Sequence, residues 1–108
     1  MIVEQRTYRL HPGKVPEYLR IYESDGLAVQ RPILGHLVGW YTMNDVGELN
    51  VIVHMWAYED LADRARRRAN LAASAEWKAV VARLQPLIRE QESRILTPAP
   101  WSPAVTAP

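Results

Sequence analysis

His54 lies in the run Asn50-Val51-Ile52-Val53-His54-Met55-Trp56-Ala57-Tyr58, whose alternate members bring an amide, an imidazole, an indole and a phenol. In a strand, alternation places Asn50, Ile52, His54, Trp56 and Tyr58 on one surface and Leu49, Val51, Val53, Met55 and Ala57 on the other. The first surface has the mixture expected of a mostly apolar pocket with a few convergent polar groups. An imidazole titrates near neutrality, with an unperturbed pKa of about 6.5, so His54 is the candidate general acid or base. Its structural reading is a satisfied interior histidine. Glu4, Arg6 and Tyr8 alternate in the same way and join the His54 surface if their two strands are neighbours. Tyr8 and Arg6 would then fix a polar or anionic group, with His54 as proton acceptor. Glu4 and Arg6 also read as a structural ion pair.

Other chemistries find little support. His36 and His11 read as structural, and no pair of histidines has a metal-ligand spacing. With no Cys, a disulfide framework, a thiolate metal site and a cysteine nucleophile are excluded. Gly35 and Gly39 are isolated, so no phosphate-cradling loop is present. Arg64, Arg66, Arg67 and Arg68 spread over more than half a helical turn and read as a solvated surface. Arg64 is the exception, lying one turn after a cap at Asp60 where it can reach the sheet edge.

The elements that must position these residues follow from periodicity. Ile2 to Leu10 alternates and ends at His11-Pro12-Gly13-Lys14, which predicts a strand and a turn. Val15, Tyr18, Leu19 and Tyr22 share a helical face, with Gly26 as a stop after about Ser24. Leu34 to Met43, bearing Trp40, and Leu49 to Tyr58 flank Asn44-Asp45-Val46-Gly47 and predict a hairpin. Asp60 opens a helix with a small-residue face of Leu61, Ala62, Ala65, Ala69 and Ala72. Trp77, Val80, Val81, Leu84, Leu87 and Ile88 continue with helical spacing, kinked at Pro86, and Ser93 to Thr97 predicts a fourth strand. The order β-α-β-β-α-α-β is the split β-α-β arrangement with one added helix, an α+β fold whose helices cover one sheet face. Because Leu49–Tyr58 is apolar on both faces, the second face calls for a partner, and a second copy of the chain supplies one.

At 108 residues the chain makes a single domain able to bury roughly two thirds of its surface. Thirteen Lys and Arg against twelve Asp and Glu give a net charge of +1, unlike a dedicated nucleic-acid binder. The longest apolar stretch, Val51 to Ala57, is far short of the ~20 residues of a membrane span. Met1 to Leu10 carries Glu4, Arg6 and Arg9 where a signal peptide would be unbroken and apolar, so the expected location is cytoplasmic.

Glu4-Gln5-Arg6-Thr7-Tyr8, Gly35-His36-Leu37-Val38-Gly39-Trp40, the His54-Met55-Trp56-Ala57-Tyr58 run with Asp60, Arg64 and Arg68 after it, and Ile95-Leu96-Thr97-Pro98 together resemble the NIPSNAP family. Trp77, Gln91 and Trp101-Ser102-Pro103 extend the likeness over almost the whole chain. The resemblance implies a ferredoxin-like subunit with a four-stranded antiparallel sheet and helices on one face, paired as a dimeric α/β barrel whose sheets enclose a cavity. That superfamily contains cofactor-free monooxygenases, haem-degrading enzymes, chlorite dismutase-like proteins and small-molecule cyclases, so the fold selects no reaction.

The expected organisation is a domain over residues 1–98 and a Pro-rich tail over 99–108. Two functions follow. In the first, a homodimer binds or transforms a small apolar or aromatic molecule in the cavity, with Glu4, Trp40, Asn50, Trp56, Tyr58 and Arg64 as binding residues and His54, Tyr8 and Arg6 as the reacting set. It needs neither cofactor nor metal, although haem enters by superfamily analogy without a spacing that marks an axial ligand. In the second, the chain is a non-catalytic interaction protein that uses its tail or Arg-rich helix.

Overall fold

The computed structural model describes residues 1–105. Its elements are β1 (Ile2–Leu10), α1 (Val15–Ile21), a π-helical turn (Tyr22–Gly26), α2 (Leu27–Leu34), β2 (His36–Met43), β3 (Val51–Tyr58), α3 (Leu61–Ala73), α4 (Ala75–Leu84), a 3₁₀ turn (Gln85–Leu87) and β4 (Ile88–Leu96). The strands form one antiparallel sheet in the order β2-β3-β1-β4, with the helices on one side, as expected of a ferredoxin-like α+β fold.

Local chemistry accounts for several boundaries. Asp60 caps α3 by accepting from the backbone N–H of Asp63 at 2.7 Å, and Ser74 caps α4 by accepting from that of Trp77 at 3.1 Å. Two breaks differ from expectation. Gly26 does not stop the first helix: the chain runs on through the π turn into α2. A Cβ at Gly26 would lie 2.8 Å from a ring carbon of Tyr22, so glycine serves here for close approach rather than for termination. Termination falls at Gly35, whose φ of +92° closes α2, and Leu34 is a buried helix residue rather than the start of a strand. The last helix likewise ends before Pro86, so that Ile88 opens a nine-residue β4, longer than the segment foreseen at Ser93–Thr97.

The largest revision concerns which face of the sheet the helices cover. Ile52, His54, Trp56 and Tyr58 lie under the helices, where Ile52 joins Tyr8, Tyr18, Tyr22 and Leu84 in one cluster and Trp56 and Tyr58 join Leu34 and Leu71 in another. The opposite surface of β3, with Val53 and Met55, is the one without helices. A face bearing imidazole and phenol reads as the solvent or partner side, yet aromatic residues on α1 and the π turn complement it and bury it. The surface of β3 that bears His54 therefore faces the helices within one subunit, and the surface with Val53 and Met55 is the one left to a partner. The alanine stripe of α3 is exposed, and this helix seats itself through Asp63 and Leu71 instead.

Candidate functional site

The register of the sheet sets the site. Arg6 lies opposite His54 and Glu4 opposite Trp56 in the β1–β3 ladder, and Trp40 is opposite His54 in the β2–β3 ladder. Cross-strand partners project from the same face, so Glu4, Arg6, Tyr8, His54 and Trp56 converge as the alternation suggested, and Trp40 joins them from β2. Asn50 does not join them. It precedes β3 with a φ of +61°, and its Oδ1 accepts the Gly13 backbone N–H at 2.9 Å, so it braces the turn after β1.

His54 is 2% exposed and enclosed by rings. Trp40 stacks on it with centroids 5.1 Å apart and planes 14° from parallel, while Tyr8 meets it edge-on at 4.9 Å. The indole N–H of Trp56 donates to His54 Nδ1 at 2.7 Å. An indole can only donate, so Nδ1 carries a lone pair and the neutral ring holds its proton on Nε2. That N–H is buried with no hydrogen-bond partner among the described residues. Burial first, and then the charges of Arg6 and Arg68, pull the pKa of His54 down from 6.5 to about 3. With Nδ1 accepting from Trp56, the neutral ring presents Nε2–H as a hydrogen-bond donor.

Glu4, with no exposure, is the anionic centre. Its Oε2 accepts from Arg64 at 2.7 Å, from Arg6 at 3.0 Å and from the Ser93 hydroxyl. Burial raises its pKa, but hydrogen bonds from Arg64 and Ser93 and the charges of Arg6 and Arg68 outweigh it and hold the carboxyl at about 2. Its Oε1 is buried and unpartnered. Arg6 is occupied as well, since its Nε donates to the Tyr8 hydroxyl at 2.8 Å. Arg64 reaches the sheet as foreseen. Arg68, assigned to the solvated surface, turns inward instead: its Nη1 is buried, and its charge acts on Tyr58, His54 and Glu4. Its spacing of four from Arg64 is the signal that places the two on one helix face.

On the helix side of β4, Gln91, Ser93 and Ile95 are paired with Tyr8, Arg6 and Glu4, yet all three are exposed. The helix layer stops short of this strand, and beside it the side chains of Arg6 and Arg64 keep 14% and 29% exposure. On the β2 side, an apolar groove of about 240 Å³ lined by Leu19, Tyr22, Leu27, Leu37 and Trp40 abuts the His54 stack. A larger groove of about 810 Å³ lies on the other sheet face, between Val3, Val38 and Met55 and the segment from Pro98 to Val105. None of the buried titratable groups lines that groove; they gather on the helix side of the sheet.

The arrangement can polarise a carbonyl or hold an oxyanion through the His54 N–H. It does not fit an axial haem ligand: Nδ1 is engaged by Trp56, and the rings of Trp40 and Tyr8 occupy the space a porphyrin would need. Among the described residues, no group of three His, Cys, Asp or Glu is placed to hold a metal ion.

A ferredoxin-like subunit with a buried polar cluster beneath its helices is the class that this geometry defines, and the fold recurs in a putative antibiotic biosynthesis monooxygenase from Nitrosomonas europaea. That structure matches with a TM-score of 0.67 over 91% of this chain and 98% of its own, at 12% identity, which shows the fold alone. The NIPSNAP family model matches residues 3–103, and the chain belongs to the NIPSNAP family. An uncharacterized NIPSNAP-like domain protein from Burkholderia xenovorans superimposes with a TM-score of 0.94 at 46% identity, covering 98% of this chain and 91% of that one. Human protein NipSnap homolog 3A is 35% identical over 100 residues, which are 91% of this chain but 39% of the human protein. The chain thus spans about two fifths of that relative's length.

Proposed function

We propose that this chain binds a small apolar or aromatic molecule bearing a hydrogen-bond acceptor, in the layer between helices and sheet. The observation that carries this reading is the buried, unpartnered Nε2–H of His54, held in one tautomer by Trp56 and walled by Trp40 and Tyr8. Leaving such a donor unmet costs about 1–3 kcal/mol, and a ligand acceptor would recover it. The apolar groove beside Trp40 supplies the hydrophobic seat, with Tyr58 and Arg64 flanking the polar end. Two copies would pair through the helix-free sheet face around Val53, Met55 and Tyr41, giving a cytoplasmic homodimer. No described helix is long and apolar enough to cross a membrane. A cofactor-free monooxygenase-like activity is the catalytic extension of this reading and draws on fold analogy alone.

Native mass spectrometry of the purified chain tests the proposal, since it reports subunit number and retained molecules together. The expected result is a dimer carrying a discrete mass that is lost on denaturation and absent from His54→Ala; an equally loaded His54→Ala protein would overturn it. A second reading, interaction through the tail, is favoured by Trp101, which is 86% exposed. It expects deletion from Pro100 onward to abolish partner capture while leaving the bound mass unchanged.

A further inference from the structure

Three guanidinium groups, from Arg6, Arg64 and Arg68, surround one carboxylate, that of Glu4, and the charge of each acts on it. The neighbouring acid on α3, Asp63, is consumed by Arg66 at 2.7 Å and Arg67 at 3.0 Å. Arg68 is within 4.0 Å of no carboxylate among the described residues, and its Nη1 is buried without a hydrogen-bond partner. The Nε of Arg64 is buried and unpartnered too, and the hydroxyl of Tyr58, itself 2% exposed, lies beside the Arg68 guanidinium: burial pushes its pKa up, and the charge and hydrogen bonding of Arg68 work against that larger push. Arg64 and Arg68 are partly buried, and three guanidinium groups around one carboxylate leave a local excess of two positive charges, which an anion would offset. A planar carboxylate matches the fork of a guanidinium, and the adjoining aromatic walls suit an organic remainder.

We propose that Arg64 and Arg68, with the hydroxyl of Tyr58 and the Nε2–H of His54, form an anion seat, so that the molecule bound here is an organic carboxylate. Its carboxylate rests on the α3 arginines and its apolar body lies against Trp40 and Trp56, with entry from the β4 side beside Arg64. The inference rests on the small-molecule reading above and adds the charge of the ligand. Arg68, rather than the occupied Arg6, is the residue that selects that charge.

The test is a ¹H–¹⁵N NMR titration with phenylacetate and with phenylacetamide, which have similar shapes and differ in charge. Phenylacetate is expected to bind about tenfold or more tightly and to shift the Nε–H signals of Arg64 and Arg68. Arg68→Gln should erase that preference while leaving phenylacetamide binding unchanged, Arg68→Lys should retain part of it, and Arg66→Gln should leave both probes unaffected. Equal affinity for the two probes, with the Trp40 and His54 signals moving, would overturn the anion seat and leave small-molecule binding standing. If neither probe moved any signal of the cluster, both readings would fall.

Discussion

The Trp56 indole and the His54 imidazole, two residues apart on one face of β3, share a 2.7 Å hydrogen bond that decides which ring nitrogen holds the proton. Trp56→Phe keeps most of the ring volume and removes the donor. It should cost about 1–3 kcal/mol in chemical denaturation, because Nδ1 is left buried and unmet. Imidazole ¹⁵N spectra should change from the Nε2–H tautomer to a mixture, and an unaltered tautomer would contradict the assignment.

Acid should destabilise the protein in two stages. His54 falls from 6.5 to about 3 on folding, so the unfolded chain binds the extra proton between those values. Its contribution is complete above pH 6.5 and is lost as pH drops toward 3, with a slope of up to about 1.4 kcal/mol per pH unit. Glu4 falls from 4.5 to about 2, so its share is complete above 4.5 and is lost below it. Denaturation midpoints of His54→Gln measured against pH should therefore be flatter than wild type between about 6.5 and 4.5 while keeping the steeper fall below. Parallel curves would show that another group titrates.

Glu4→Gln should destabilise by about 3–5 kcal/mol in urea, because it leaves the Arg6 and Arg64 guanidiniums facing one another without their counter-ion. Pairing it with Arg64→Gln should return part of that loss. A double variant as unstable as the sum of the single ones would show that the two side chains act independently.

Gly35→Ala should cost about 1–3 kcal/mol by thermal denaturation, since a positive φ strains any L side chain and the new methyl would lie 2.5 Å from Arg67 Nη1. Arg67→Ala removes the clash but not the dihedral strain, so the penalty of Gly35→Ala should shrink in that background without vanishing.

Met55→Glu places a charge on the helix-free face of the sheet, beside Val53. Sedimentation velocity should find the wild-type chain dimeric and this variant monomeric, with unchanged far-ultraviolet circular dichroism. A dimeric Met55→Glu protein would move the interface elsewhere.

Much of this molecule is readable from its residue order. Periodicity located β1 and β3 closely and β4 only in its second half, Asp60 announced its cap, and alternation alone placed Glu4, Arg6 and Tyr8 on one face with His54 and Trp56. The side of the sheet was not readable, because Val53 and Met55 are as apolar as a core while His54 and Tyr58 look like groups kept for solvent or partner. The tyrosines of α1 and the π turn that cover them are separated from β3 by about thirty residues of chain. Arg68 was hidden in a run of like residues, where composition suggests solvent and only the interval from Arg64 points inward. Asn50 continues the alternation on paper, and a left-handed backbone takes it out of the strand.

The wide turn at Tyr22–Gly26, closed by the Leu27 N–H on the Tyr22 carbonyl, behaves as one residue spliced into an otherwise continuous helix. Excising a residue there would rotate everything after it by about 100°, since a helix makes one turn in 3.6 residues. Gln30 would swing away from the Tyr22 hydroxyl it accepts from, and Leu34 would leave its seat against Trp56. Chain length in this stretch is thus locked to the aromatic wall over His54, and a functional relative that lost one residue here would have to gain one elsewhere in the same helix.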